Sequence, residues 1–190
     1  MKRMFLILVV GLITASTSYA LGPNVLLVPE EDPWTWDRCV TGLVPYQVEI
    51  WFYTVPSSWW PSQHICVEFR IGYPPNVTPG ALTINPLVSV WDGDLETGVM
   101  ACFPDCVNSI VWYFHQTIWV NDPTPAWVEI RKHLDPGIPC IQTRRCDPGN
   151  TPTCAIYYCK VGINMEPPQC WGAISTEESS WGAIKSMYSD

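Results

Sequence analysis

The sequence predicts an all-β protein: an antiparallel β-sandwich of immunoglobulin-like or Greek-key type with a disulfide-rich C-terminal segment. Three observations carry that expectation. Short runs rich in β-branched and aromatic residues alternate apolar with polar positions, proline- and glycine-containing breaks separate them, and nine cysteines stand in a chain of 190 residues. No amphipathic helical pattern is evident before residue 171.

The chain begins with a segment to be set apart from the fold. Lys2 and Arg3 precede an apolar run from Met4 to Ile13, and Ser16-Thr-Ser-Tyr-Ala20 then turns small and polar, the layout of a secretory signal peptide. The run is shorter than the ~20 residues that cross a bilayer, so residues 1–20 are expected to be cleaved after Ala20 rather than kept as an anchor. No later segment is long and apolar enough to replace it, which predicts no stable membrane span after cleavage. The expected location is secreted, periplasmic or cell-surface.

Residues 21–134 are expected to form the sandwich. Val25 to Val28 reads as a possible first strand. In Gln47 to Tyr53 one face carries Val48, Ile50 and Phe52; in His64 to Ile71 the residues Ile65, Val67, Phe69 and Ile71 oppose Cys66, Glu68 and Arg70. Further strands are expected at Leu87 to Trp91, Ser109 to Val120, Ala126 to Arg131 and Cys154 to Val161. Turns are expected at Val55-Pro-Ser-Ser, Tyr73-Pro-Pro-Asn, Asp92-Gly93, Asn121-Asp-Pro-Thr-Pro125 and Asp147-Pro-Gly-Asn150. The 19 prolines are about twice average usage and fall mostly in these breaks, since proline cannot donate to a ladder.

Residues 135–170 form a Cys-rich segment expected to pack on or complete the sandwich. The cysteines are Cys39, Cys66, Cys102, Cys106, Cys140, Cys146, Cys154, Cys159 and Cys170, the last five within 31 residues. Export and this density favour disulfides, and the C-terminal third is expected to be held by bridges more than by a core. A metal site is the rival reading for Cys102-Phe-Pro-Asp-Cys106, but there is no Cys-x-x-Cys pair, and His64, His115 and His133 do not sit at zinc-ligand spacing. The odd count leaves at least one thiol over if every bridge is internal, a cysteine that is either buried and inert or linked to another chain, and the pairing itself stays open.

Residues 171–190 form a tail of different character. Trp171-Gly-Ala-Ile174 recurs as Trp181-Gly-Ala-Ile184, and Trp181, Ile184 and Tyr188 share the spacing of a short amphipathic helix capped by Ser179 or Ser180. The ending Trp181-Gly-Ala-Ile-Lys-Ser-Met-Tyr188 resembles the C-terminal tail, Trp-Gly-x-Ile/Val-Lys-x-Leu-Tyr, of uncharacterised secreted bacterial proteins. That resemblance implies a bacterial source and a tail used after export; it implies no activity.

Charge narrows the function. The net charge is −8; removal of residues 1–20 takes Lys+Arg from 10 to 8 against 18 acids, leaving −10. Such a surface repels phosphate backbones and anionic headgroups, which argues against nucleic acid as a partner and against a membrane-surface role.

Four features could carry chemistry. Glu49, Glu68 and Glu129 occur in similar strand triplets, and two such carboxylates at suitable separation would make a glycoside hydrolase. Cross-strand ion pairing with residues such as Arg70 and Arg131 on a solvated face explains them more simply. Asp92, Asp94 and Glu96 cluster as calcium ligands do, outside the EF-hand pattern, although an Asp92-Gly93 hairpin turn accounts for part of the motif. Trp59 and Trp60, between Pro56 and Pro61, could stack on a sugar or cap a partner's apolar patch. Asn76-Val-Thr78 matches the N-glycosylation sequon. No nucleophile elbow is present. The expectation is therefore an exported, non-enzymatic interaction or structural module, with a glycan or a protein as partner at the cell surface and no cofactor unless calcium binds. The alternatives are a carbohydrate-binding module using Trp59 and Trp60, and a secreted glycoside hydrolase.

Overall fold

The computed structural model of the chain describes residues 24–33, 38–55, 63–155, 160–166 and 169–170. The expected signal peptide, Trp59-Trp60, Cys159 and the C-terminal tail lie outside them. Within them the protein is all-β, as expected, with strands β1 (Asn24–Val28), β2 (Cys39–Val40), β3 (Tyr46–Val55), β4 (His64–Gly72), β5 (Val77–Ile84), β6 (Val90–Asp94), β7 (Gly98–Val107), β8 (Val111–Val120), β9 (Ala126–Arg131), β10 (Gln142–Arg145), β11 (Pro152–Cys154) and β12 (Lys160–Ile163).

Two sheets face each other. One has the order β1-β3-β8-β5. In the other, β4 is the hub: its first half pairs with β7 on one side and β10 on the other, and its second half pairs with β9. β6 extends the sheet beyond β7, β11 beyond β10, and β12 with β2 beyond β9. All pairings are antiparallel except β12 with β2.

Period-two alternation decides which side chains fill the gap. Ile50 and Phe52 from β3 and Phe114 and Ile118 from β8 meet Val67, Phe69 and Ile71 from β4 and Val128 and Ile130 from β9, all essentially inaccessible. Phe52 stacks on Phe69 across the gap with ring centroids 4.1 Å apart, and on Phe114 at 5.3 Å. A bulge lets β8 break the rule: Phe52 lies opposite Phe114 but Tyr53 opposite Trp112, so Tyr113 is the extra residue. Tyr113 and Phe114 are thereby both buried in the core.

Several local expectations need correcting. β5 and β7 had no expected counterpart, because Pro79 and Pro104 interrupt their patterns; β5 accommodates Pro79-Gly80-Ala81 with a register shift against β8. Pro79, Pro104 and Pro152 therefore lie inside strands rather than in breaks. The strand expected at Leu87 starts only at Val90, since Asn85 accepts the Leu87 amide at its side chain and the Val88 amide at its backbone carbonyl. Asp92-Gly93 is strand, not turn: β6 runs through it to Asp94, and the turn is Leu95-Glu96-Thr97. Gly93 has φ 97° there, and a Cβ would strike the Gly98 carbonyl oxygen, so both the backbone and the close approach require glycine. Of the strand expected over Cys154 to Val161, Cys154 ends β11, Ala155 lies outside any strand and Lys160 starts β12, residues 156–159 lying outside the described residues.

Among the described residues four disulfides form: Cys39–Cys170, Cys66–Cys102, Cys106–Cys146 and Cys140–Cys154. Cys102 and Cys106 thus enter different bridges, which removes the metal reading of that pair. The C-terminal third also contributes Ile141, Val161 and Ile163 to the main core.

Phe52→Ala would remove the ring that contacts both sheets. It is expected to cost about 3–5 kcal/mol in urea unfolding at unchanged m-value.

Candidate functional site

The outer face of the four-stranded sheet carries an unusual set of side chains. Alternation in β3 and β8 turns Glu49, Trp51, His115, Thr117 and Trp119 away from the core. Trp51 stacks on the His115 imidazole with centroids 4.3 Å apart and 14° between planes, and Trp112 meets both edge-on. The Glu49 carboxylate hydrogen-bonds His115 Nδ1 from the side, fixing the ring on the indole. Trp119 projects from the same strand with 45% of its surface exposed. Thr78 and Thr83 of β5 stand opposite Trp119 and His115, so the ledge continues into a hydroxyl-lined margin.

At its β1 end this face is closed rather than open. Leu26, Val28, Tyr53 and Val55 form a small second cluster with Trp51, Ile110 and Trp112 against it. The Tyr53 hydroxyl donates to the Glu31 carbonyl at 2.5 Å, and burial, followed by the Glu31 and Asp32 charges, pushes its pKa up to about 12. It remains a donor throughout the physiological range.

A second concave region lies between the edge strands β5 and β6. It is a cleft of about 560 Å³ lined by Tyr73, Trp91, Leu82, Glu96 and Gln116 among others. The Tyr73 hydroxyl donates to Gln116 Oε1, and Gln116 Nε2 donates to the Gly80 carbonyl at 3.3 Å. Burial, and then the Glu96 carboxylate, raise the Tyr73 pKa, with the Gln116 hydrogen bond opposing.

The three strand glutamates do not converge. Glu49 lies on the four-stranded sheet, whereas Glu68 and Glu129 lie on the other. Each has its own partner: His115 for Glu49, Arg144 for Glu68 with Nη2–Oε1 2.6 Å, and Arg131 for Glu129 at 3.4 Å. The expected solvated face is wrong for Glu68, which is buried beneath Arg144 beside His133 and Ile138. Arg144 arrives only through the pairing of β10 with β4, too distant in sequence to be foreseen.

Of the expected calcium ligands, Asp92 and Asp94 belong to β6 and Glu96 to the following turn. Asp94 is already engaged: Oδ1 accepts the Glu96 and Thr97 amides at 2.8 Å and Oδ2 accepts the Thr97 hydroxyl at 2.5 Å. Among the described residues no three His, Cys, Asp or Glu side chains gather as a metal would require. The sequon residue Asn76 is buried, with Nδ2 donating to the Thr124 carbonyl at 2.8 Å, so the nitrogen a glycan would occupy is part of a turn contact.

With this geometry in hand, comparison with known proteins locates the architecture. The chain is similar to a cohesin module from a family 33 glycoside hydrolase of Clostridium perfringens, with TM-score 0.50 and 8% identity over 77% of this chain and 100% of that one. The likeness is one of fold. Weaker similarity extends to the seventh ScaB type I cohesin of Pseudobacteroides cellulosolvens (TM-score 0.48, 10% identity, 78% and 96% covered). It extends also to a type III cohesin module from the ScaE cell-surface anchoring scaffoldin of Ruminococcus flavefaciens (0.48, 8%, 78% and 90%). No family model and no curated protein matches the sequence.

The Asp94 cap yields a prediction with a defined sign. Hydrogen bonds from the Thr97 hydroxyl, the Thr97 amide and the Glu96 amide, with a smaller effect of His133, hold its pKa below the ordinary 3.8. A folded pKa below the unfolded one gives stability above the unfolded value that is lost as pH falls through the folded one. Asp94→Asn is therefore expected to have a lower urea midpoint than wild type at neutral pH, and the gap is expected to narrow below about pH 4.

Proposed function

We propose that the chain is an exported, non-enzymatic interaction module that engages a protein partner through the ledge on the outer face of β3 and β8. The observation that carries this reading is the ledge itself. Trp51, locked on His115 by Glu49, and the half-exposed Trp119 lie on one face of a rigid sheet. Large, preorganised aromatic groups of this kind anchor protein interfaces because they bury much area at low entropic cost. Mounting them on strands rather than on a loop removes the ordering penalty a flexible loop would add.

Two further features support it. The four bridges fit an oxidising compartment, in line with the signal peptide read from Lys2 to Ala20. The excess of acids over bases, with Glu49 in the ledge, favours a partner with a basic surface by electrostatic steering. Secretion, the periplasm and the cell surface are all compatible with that compartment.

A photo-reactive residue replacing Thr117, in the exported protein on its own cells, is expected to give one discrete protein adduct. Trp119→Ala and Thr117→Arg, both outside the core, are expected to weaken binding of the purified partner about tenfold or more, with the association rate falling as salt is raised. Equal adduct yields from Thr117 and from Arg70 on the other sheet, or full affinity in Trp119→Ala, would refute the ledge as the contact surface.

A further inference from the structure

A different part of the molecule presents an arrangement that protein binding at the ledge does not use. On β4 and β9, Arg70 stands directly opposite Arg131 in the ladder. Like charges in that relation repel across a few ångströms and are unfavourable unless an anion is shared between them. The local carboxylates only half answer the need. Glu129 pairs with Arg131 at 3.4 Å, while Arg70 donates Nε–H to the Lys132 carbonyl at 3.0 Å and forms no ion pair among the described residues.

The residue after Ile71 makes room for this arrangement. Gly72 has no side chain, and a Cβ there would lie 2.5 Å from Arg131 Nε, so the guanidinium lies flat over the strand. Both arginines line a cleft of about 380 Å³ whose walls include Gly72, Tyr73, Pro74, Pro75, Pro79 and Glu96. Tyr73, Pro79 and Glu96 also line the 560 Å³ cleft between β5 and β6, so the two run into each other. Each volume falls in the ~300–1,000 Å³ range of small-ligand sites.

We propose that this cleft binds an acidic sugar, with the carboxylate held between Arg70 and Arg131. The chemistry on each wall matches one part of such a ligand. Guanidinium groups donate paired N–H bonds to a carboxylate. The pyrrolidine rings of Pro74, Pro75 and Pro79, with the Tyr73 ring, offer an apolar wall to a pyranose face. Glu96, an acceptor only when ionised, suits hydroxyl hydrogens and repels a second carboxylate, which sets the direction in which the ligand lies. A bare anion would leave that wall and Glu96 unused.

The two arginines are on the opposite sheet from Trp51, His115 and Trp119, so replacing them tests the cleft without touching the ledge. D-glucuronate serves as probe, with D-glucose as its neutral counterpart and inorganic sulfate as an anion without a ring, followed by NMR titration of the arginine Nε–H resonances. Glucuronate is expected to bind about tenfold or more tightly than either control, and Arg70→Gln or Arg131→Gln each to weaken it by a similar factor. Lys132→Gln, an exposed neighbouring charge, is expected to change affinity less than twofold. Circular dichroism and thermal melts confirm that each variant is folded. Glucose binding as well as glucuronate would overturn the carboxylate clamp, sulfate binding as well as glucuronate would overturn the sugar, and undiminished affinity in folded Arg70→Gln would overturn the site.

Discussion

The stack of Phe52 on Phe69 is the contact through which the two sheets are brought into register. It joins the middle of β3 to the middle of β4, and β4 is the strand to which β7, β9 and β10 are all hydrogen-bonded. Once these two rings are in place, alternation assigns the neighbouring side chains on both strands to the gap or to the outer face of the sheet. Val67 and Ile71 follow Phe69 inward, so Cys66, Glu68 and Arg70 must face out. Ile50 follows Phe52, so Glu49 and Trp51 must also face out. The ledge and the arginine pair are therefore opposite consequences of one packing choice, and a one-residue slip in either strand would bury the charges and expose the core.

The bulge at Tyr113 refines that choice. Without it, continuous alternation through β8 would put Tyr113 and Phe114 on opposite faces. The extra residue lets both enter the core, where Phe114 packs on Phe52 and Tyr113 on Phe103 with centroids 4.7 Å apart. It also resets the phase so that Trp112 and His115 both reach Trp51 on the outer face. A uniform strand of this sequence would separate those two rings across the sheet. The geometry of the ledge is thus set by an irregularity, in keeping with the tendency of bulges to re-aim side chains where a surface has a task.

How much of this was legible beforehand depends on distance along the chain. The inward faces of β3 and β4 could be read from Val48, Ile50, Phe52, Val67, Phe69 and Ile71, because period two is a local property. β5 and β7 could not, since Pro79 and Pro104 imitate breaks and only pairing with β8 and β4 shows that the strands continue. Asp92-Gly93 carried a true turn signal, but the positive φ of Gly93 accompanies a close approach to Gly98 within the hairpin, and the turn is fixed two residues later by Asp94. Arg70 and Arg131 were read singly as outward charges, and Glu68 as solvated. Their real environments are made by β9 and β10, which arrive from 60 to 76 residues away, and no local pattern encodes which strands become neighbours.

The bridges complete the asymmetry of the molecule. Cys39–Cys170 ties β2 to the segment after β12, Cys66–Cys102 joins β4 to β7, and Cys106–Cys146 and Cys140–Cys154 secure the β10–β11 end. Each links chain segments whose separation in the unfolded state would otherwise add conformational freedom, the more so for the 131-residue span of Cys39–Cys170. No described bridge includes a residue of the four-stranded sheet, so the two sheets are joined by core packing and by side-chain hydrogen bonds such as Thr54 Oγ1 to His64 Nε2 at 2.8 Å and Tyr73 to Gln116. The eight-stranded sheet is thus clamped covalently within itself, while its contact with the four-stranded sheet, including the side carrying Tyr73, Trp91 and Gln116, rests on reversible interactions. A cleft between sheets needs such a side: covalent closure there would fix its width, whereas hydrogen-bonded edges let it adjust to what enters without disturbing the Phe52–Phe69 contact behind it.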